Sequence, residues 1–114
     1  MAEKSQSPIF MRTEVFMVWL LEHTRKFPKH ERFRLAKWID DSIRLFHECL
    51  TRAAQSGNTR RDLYEADIQL DLLRAYLHLS LELRYTAPNQ FAYTAEHTTE
   101  IGKLLGGWIK SVSA

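Results

Sequence analysis

An all-α fold, an up-down-up-down bundle of four helices, is the class this sequence predicts, and three observations lead to it. Apolar residues recur at helical rather than strand spacing in four segments. Only four glycines and three prolines interrupt 114 residues, and Pro28, Gly57 and Pro88 fall between those segments. The connections are short, and segments two to four are each about 35 Å long at the helical rise of about 1.5 Å per residue, which makes sequence neighbours antiparallel.

The first helix is expected over residues 9–26, with Phe10, Val15, Phe16, Trp19 and Leu20 apolar, and Pro28 marks its end. The second is expected over 31–55, where Leu35, Trp38, Ile39, Ile43, Phe46, Leu50 and Ala53 make a broad apolar face. Ser56-Gly57-Asn58 is a stop and turn. The third, over 60–83, has two apolar faces. Leu63, Ala66, Leu70, Leu73, Leu77 and Leu81 form one stripe, and Ile68, Leu72, Ala75, Leu79 and Leu83 a second, roughly opposite. Asp67, Asp71, Arg74, His78 and Glu82 run between them. One core needs a single stripe per helix, so the second stripe is expected to bury against another copy of the chain. The fourth helix, over 90–112, buries Ile101, Leu104, Leu105, Trp108 and Val112. It also carries Gly102, Gly106 and Gly107, each costing about 1 kcal/mol of helix propensity relative to alanine. Ala95, Gly102 and Gly106 share one edge, which predicts close approach of a neighbouring helix there. Gly102 and Gly106 therefore join the candidate interface. Residues 1–8 read as a disordered tail and 9–114 as the bundle.

Apolar residues make up 45% and charged residues 26%, the balance of an ordinary globular protein. The single cysteine, Cys49, excludes an intrachain disulfide, fits a reducing cytoplasm and sits on an apolar helix face as core filling. Met1–Ser7 is polar and reads as no signal peptide, and the longest apolar run, Val15–Leu21, is too short to cross a bilayer. Net charge is +2 but uneven. Arg25, Lys26, Lys29, Arg32, Arg34 and Lys37 face only Glu31 within their stretch, and His30 adds to the cluster when protonated. Such asymmetry points to an anionic partner.

Catalytic constellations are not found. A di-iron bundle needs inward Glu-x-x-His pairs, and no glutamate here precedes a histidine by three. There is no His-Glu-x-x-His, no cysteine pair for zinc and no phosphate loop. His23, His30, His47, His78 and His97 lie on different elements, and surface or capping roles are expected for them. Asp71 pairs locally with Arg74, three residues on. For the basic stretch the plain reading is a solvated helix face, with Lys37–Asp41, Asp40–Arg44 and Glu48–Arg52 at i,i+4 spacing. That reading leaves Arg25 to Arg34 without partners. Phosphate contact is the alternative, and it would be electrostatic, salt-dependent and indifferent to base identity. A metal-dependent bundle enzyme and a purely structural oligomer remain as rival classes.

Four blocks carry a family resemblance: Phe27-Pro28-Lys29-His30-Glu31-Arg32-Phe33, Leu63-Tyr64-Glu65-Ala66-Asp67, Leu70-Asp71-Leu72-Leu73-Arg74, and Ile101-Gly102-Lys103-Leu104-Leu105-Gly106-Gly107-Trp108-Ile109. In order and spacing they resemble the accessory variability determinant (Avd) family, the helical partners of reverse transcriptases in diversity-generating retroelements. The alternative reading is a ribosomal-RNA-associated bundle of a sister family, encoded by intervening sequences in bacterial ribosomal RNA genes, which shares the bundle and the Phe-Pro-Lys opening. It typically has a Ser-Ile-Pro-x-Asn-Ile-Ala-Glu-Gly-like stretch, where this chain reads Trp38-Ile39-Asp40-Asp41-Ser42-Ile43-Arg44-Leu45. The Avd resemblance implies a barrel-shaped homopentamer with no catalysis or cofactor of its own. It implies a basic surface that binds the reverse transcriptase, template RNA and cDNA during mutagenic retrohoming. Within that family a Leu-Arg-x-x-Leu-Arg pattern contributes to the basic surface; Arg74 matches its first arginine and His78 departs at the second. The candidate contact residues are Arg25, Lys26, Lys29, His30, Arg32, Arg34 and Lys37, from the uneven charge, with Arg74 and His78 at the positions of the family pattern.

Overall fold

The protein is described from a computed structural model covering residues 7–55 and 57–113. Four α-helices, α1 (Pro8–Thr24), α2 (Leu35–Gln55), α3 (Thr59–Glu82) and α4 (Pro88–Ser113), are joined by short links, with one 3₁₀ turn at Lys29–Glu31. Among the described residues there is no strand. Helix α1 packs on α2 and α4, and α3 packs on the same two, so α1 and α3 are diagonal across the bundle. Phe10 near the start of α1 meets His47 of α2 and Trp108 of α4, both well along their helices, which makes α1 antiparallel to its two neighbours. Of the predicted tail 1–8, residues 1–6 lie outside the described residues, while Pro8 opens α1 at a position where its missing N–H costs nothing.

Two expected boundaries move for a local reason. Pro28 disfavours a helical Phe27, and α1 ends at Thr24 rather than at residue 26. The chain then makes the 3₁₀ turn, and α2 begins at Leu35 rather than 31. The Glu31 carboxylate accepts the Leu35 N–H at 3.4 Å and satisfies one of the first free donors of α2. At the other corner, the Arg84 N–H donates to Leu81 O and the Tyr85 N–H to Ser80 O. This pair of bonds closes a helix C-terminus with one residue in the left-handed region. That residue is Arg84, at φ 65°.

The core runs the length of the bundle. Phe16 and Leu20 of α1, Ile39, Ile43, Phe46 and Leu50 of α2, Leu63, Ala66, Leu70, Leu73 and Leu77 of α3, and Ile101 and Leu105 of α4 are essentially inaccessible. Cys49 is buried among them, and burial pushes its thiol above the ordinary value. Three expectations are corrected. Val15 is exposed on the outer side of α1. Trp38 is 44% exposed and leans on Tyr76 of α3, with ring centroids 5.7 Å apart. Leu81 is only partly buried, because the first α3 stripe drifts off the core near its end.

The second stripe of α3 faces outward. Ile68, Leu72, Leu79 and Leu83 are between 37% and 52% exposed, and Ala75 is exposed with them. Tyr64 extends this row. The close approach expected along the glycine edge is made by a side chain rather than a helix. A Cβ on Gly102 would lie 2.7 Å from Nη2 of Arg74, whereas Gly106 and Gly107 face open space.

Leu70→Ala should therefore cost about 3 kcal/mol in urea unfolding, from lost burial and the cavity left behind. Gly107→Ala should gain about 1 kcal/mol, since helix propensity improves and nothing obstructs the methyl.

Candidate nucleic-acid interface

The cationic stretch lies at the end of the bundle where α1 stops, α2 starts and the α3–α4 turn passes. Two polar systems hold these pieces together. The first is a buried relay. Ser80 donates its hydroxyl to Leu77 O at 2.6 Å, so its oxygen accepts from Thr86, 2.7 Å away. The Thr86 oxygen in turn accepts from Nε2 of His23 at 2.7 Å. This proton inventory places the His23 N–H on Nε2. The second centres on buried Glu31, whose carboxylate accepts the Tyr85 hydroxyl at 2.9 Å and pairs with Arg34 at 3.4 Å. Burial alone would raise the Glu31 carboxyl, but the Tyr85 hydroxyl, the Leu35 N–H, Arg34 and His30 together hold it below its usual value.

His23 is buried, not a surface or capping residue as expected. It stacks on Trp19 at 4.6 Å and meets the edge of Phe27 at 5.3 Å. His97 is likewise half-buried, stacked on Phe16 at 5.2 Å and tilted on Tyr93 at 4.3 Å. Burial lowers the pKa of both imidazoles, with Lys26 adding to the effect at His23 and Arg12 at His97.

The basic residues divide into engaged and unengaged. Arg25 pairs with Glu22 at 2.6 Å and Arg34 with Glu31, so these two do have partners, contrary to expectation. Glu22 lies just outside the stretch and Glu31 within it, and helical and 3₁₀ spacing brings both into reach. Lys37 pairs with Asp41 at 2.6 Å as expected. The expected Asp40–Arg44 pair is not made: Arg44 takes Asp41 and Glu48, and Asp40 accepts the Thr24 hydroxyl. Lys26, Lys29 and Arg32 are exposed and make no ion pair among the described residues. His30 reaches Tyr85 at 3.3 Å.

Arg74 and His78 lie elsewhere, on the α3–α4 seam. Arg74 pairs with Asp71 at 2.9 Å and donates to Thr98 O at 3.1 Å, tying the two helices together over Gly102. His78 stands 3.9 Å from Glu82 and against Phe91. The fold thus gathers Arg25 to Lys37 at one corner and leaves Arg74 and His78 apart from it. It also adds a residue that sequence reasoning missed. Arg84, exposed in the α3–α4 turn, joins the same end. It occupies a left-handed position that glycine would fill without strain, at a cost of about 1 kcal/mol. Its signal in the sequence was the absence of a glycine after the third helix.

No group of three or more histidine, cysteine or acidic side chains among the described residues could hold a metal ion. No helix among them is long and apolar enough to cross a membrane. Among the described residues the chain is thus a four-helix bundle with a cationic end and an uncovered apolar face. The family model described as bAvd-like matches residues 9–112, and the chain belongs to that Avd-like family. No curated protein and no solved structure gives a significant match.

Two outcomes follow from this geometry. His23 and His97 bind protons less readily folded than unfolded, so stability is complete above the ordinary histidine value near 6.5 and falls as the pH drops below it. Melting temperature followed from pH 7 to pH 5 should decline, and His23→Gln should flatten that slope. Arg84→Gly should raise the unfolding free energy by about 1 kcal/mol in urea unfolding, since glycine takes the left-handed position without strain.

Proposed function

We propose that this chain is a non-catalytic accessory protein of a diversity-generating retroelement. It binds the element's reverse transcriptase and helps hold template RNA and cDNA in mutagenic retrohoming. The observation that carries this reading is membership of the Avd-like family across nearly the whole chain. The geometry supports it with three exposed, unpaired cations, Lys26, Lys29 and Arg32, beside the engaged Arg25 and Arg34.

The working form is a barrel-shaped homopentamer. Support comes from a second uncovered apolar row, which the sequence reading did not single out. Met11, Val15 and Val18 on α1 are between 52% and 66% exposed, a helical turn apart. Because α1 and α3 are diagonal, this row and the Ile68–Leu83 row lie on opposite sides of the protomer. Unlike faces on opposite sides favour head-to-tail association, which closes into rings when the rotation allows. Five copies would repeat the cationic end and multiply weak phosphate contacts.

The deciding experiment is co-purification with the neighbouring reverse transcriptase at moderate salt, with complex mass read by light scattering. Several copies of this chain per polymerase are expected, and failure to associate with an intact polymerase overturns the reading. Leu72→Asp and Val15→Asp should each give a helical monomer by the same measurement. Replacing Lys26, Lys29 and Arg32 together by glutamate should weaken RNA binding and flatten its dependence on salt, by about 0.7 in log–log slope per lost phosphate contact.

A further inference from the structure

A cleft of about 340 Å³ opens between the end of α1 and the start of α2. Arg25, Lys29 and Arg32 line it, together with Leu21, Pro28 and Asp40. Asp40 is unexpected in this company. A site for phosphate alone gains nothing from a carboxylate, which repels the anion the three cations attract. Nor does Asp40 serve as their structural counter-ion. Arg25 pairs with Glu22 instead, and Lys29 and Arg32 pair with nothing among the described residues.

One Asp40 oxygen, Oδ1, accepts the Thr24 hydroxyl at 2.8 Å. The other has no protein donor among the described hydrogen bonds. Burial, with the neighbouring Asp41, pushes this carboxyl above its usual value despite the Thr24 bond, and because Asp40 is only half-buried its second oxygen is open to a donor from outside. A ligand that satisfies the cleft must bring hydrogen-bond donors to Asp40, negative charge to Lys29 and Arg32, and an apolar surface to Leu21 and Pro28.

A guanine nucleotide in a single strand has all three. Guanine alone among the four common bases places two donors, N1–H and the 2-amino group, side by side on its pairing edge, and a carboxylate accepts two parallel bonds. Its ring face is apolar, and its phosphates flank it. Single strands splay their bases out and are read on such edges. We propose that this cleft takes one guanine base unstacked from a single-stranded nucleic acid, with Asp40 accepting from N1–H and the 2-amino group while Lys29 and Arg32 meet the adjacent phosphates. This rests on the nucleic-acid reading above, but it departs from purely electrostatic binding: the cationic end reads a base as well as a backbone.

The test uses the full chain and short fluorescent oligouridines carrying one central guanine, adenine or cytosine, in RNA and deoxy forms, with binding followed by anisotropy. The guanine strand should bind about tenfold more tightly than the others, the discrimination expected of one bidentate base contact. Asp40→Asn presents one acceptor and one donor, and should cut that ratio to about twofold or less. The ratio is taken within each variant, so general changes in affinity cancel. The asparagine keeps an oxygen for Thr24, and circular dichroism and complex mass verify the fold. Lys29→Ala should weaken every strand alike and leave the ratio standing. The RNA and deoxy arms identify which strand supplies the base.

Intact binding with no base preference overturns this inference and leaves the phosphate interface standing. A preference that survives in Asp40→Asn places base reading elsewhere and also overturns it. Loss of polymerase association in Asp40→Asn, with base preference unchanged, assigns the cleft to a protein contact instead. Failure of every strand to bind removes the nucleic-acid reading itself, and this inference with it.

Discussion

Burial of one leucine stripe of α3 is the constraint on which the rest of the bundle depends. Leu63, Ala66, Leu70, Leu73 and Leu77 are inaccessible, and α3 contributes more fully buried leucines than any other helix. A helix can turn only one side to a core. Once this stripe is inside, Ile68, Leu72, Ala75, Leu79 and Leu83 are outside by geometry, and no rotation of α3 rescues them. An exposed row of this length is a liability unless another surface covers it. The chain carries it together with a second exposed row, Met11, Val15 and Val18, on the diagonal helix.

The same packing builds the cationic end. Antiparallel neighbours bring the α1–α2 corner and the α3–α4 turn to one end of the molecule. His23, Thr86 and Ser80 then join α1, the α3–α4 turn and α3 through buried hydrogen bonds, and Glu31 with Tyr85 repeats the tie nearer the surface. These bonds satisfy polar groups that would otherwise be costly to bury. They also give the exposed cations a stiff base. Arg84 in a left-handed position fits this picture: strain is tolerated where the surrounding bonds over-determine the backbone.

Charge at this end is sorted rather than simply accumulated. Acidic neighbours take up Arg25, Arg34 and Lys37, and an i,i+3 pair together with a backbone carbonyl takes up Arg74. What remains without an ion pair among the described residues of this corner, Lys26, Lys29 and Arg32, is a smaller and more localised set than a count of basic residues suggests. The lone carboxylate of Asp40 in the midst of that set gives it chemical direction.

By itself the sequence determined the four helices, the stripe of α3 that enters the core and the stripe left over, the buried Cys49, and the family through four spaced blocks. These are properties of local period and punctuation, and burial in a helical bundle follows period. Only the tertiary structure decided the rest. It moved the start of α2 to Leu35, because Glu31 folds back as a cap. It buried His23, because Thr86, some sixty residues away in sequence, supplies a partner. It exposed Val15 and Trp38, separated Arg74 from the cationic corner, and brought Arg84 and Asp40 to it. Each of these depends on which residue of another helix stands opposite, and spacing along one chain segment carries no information about that.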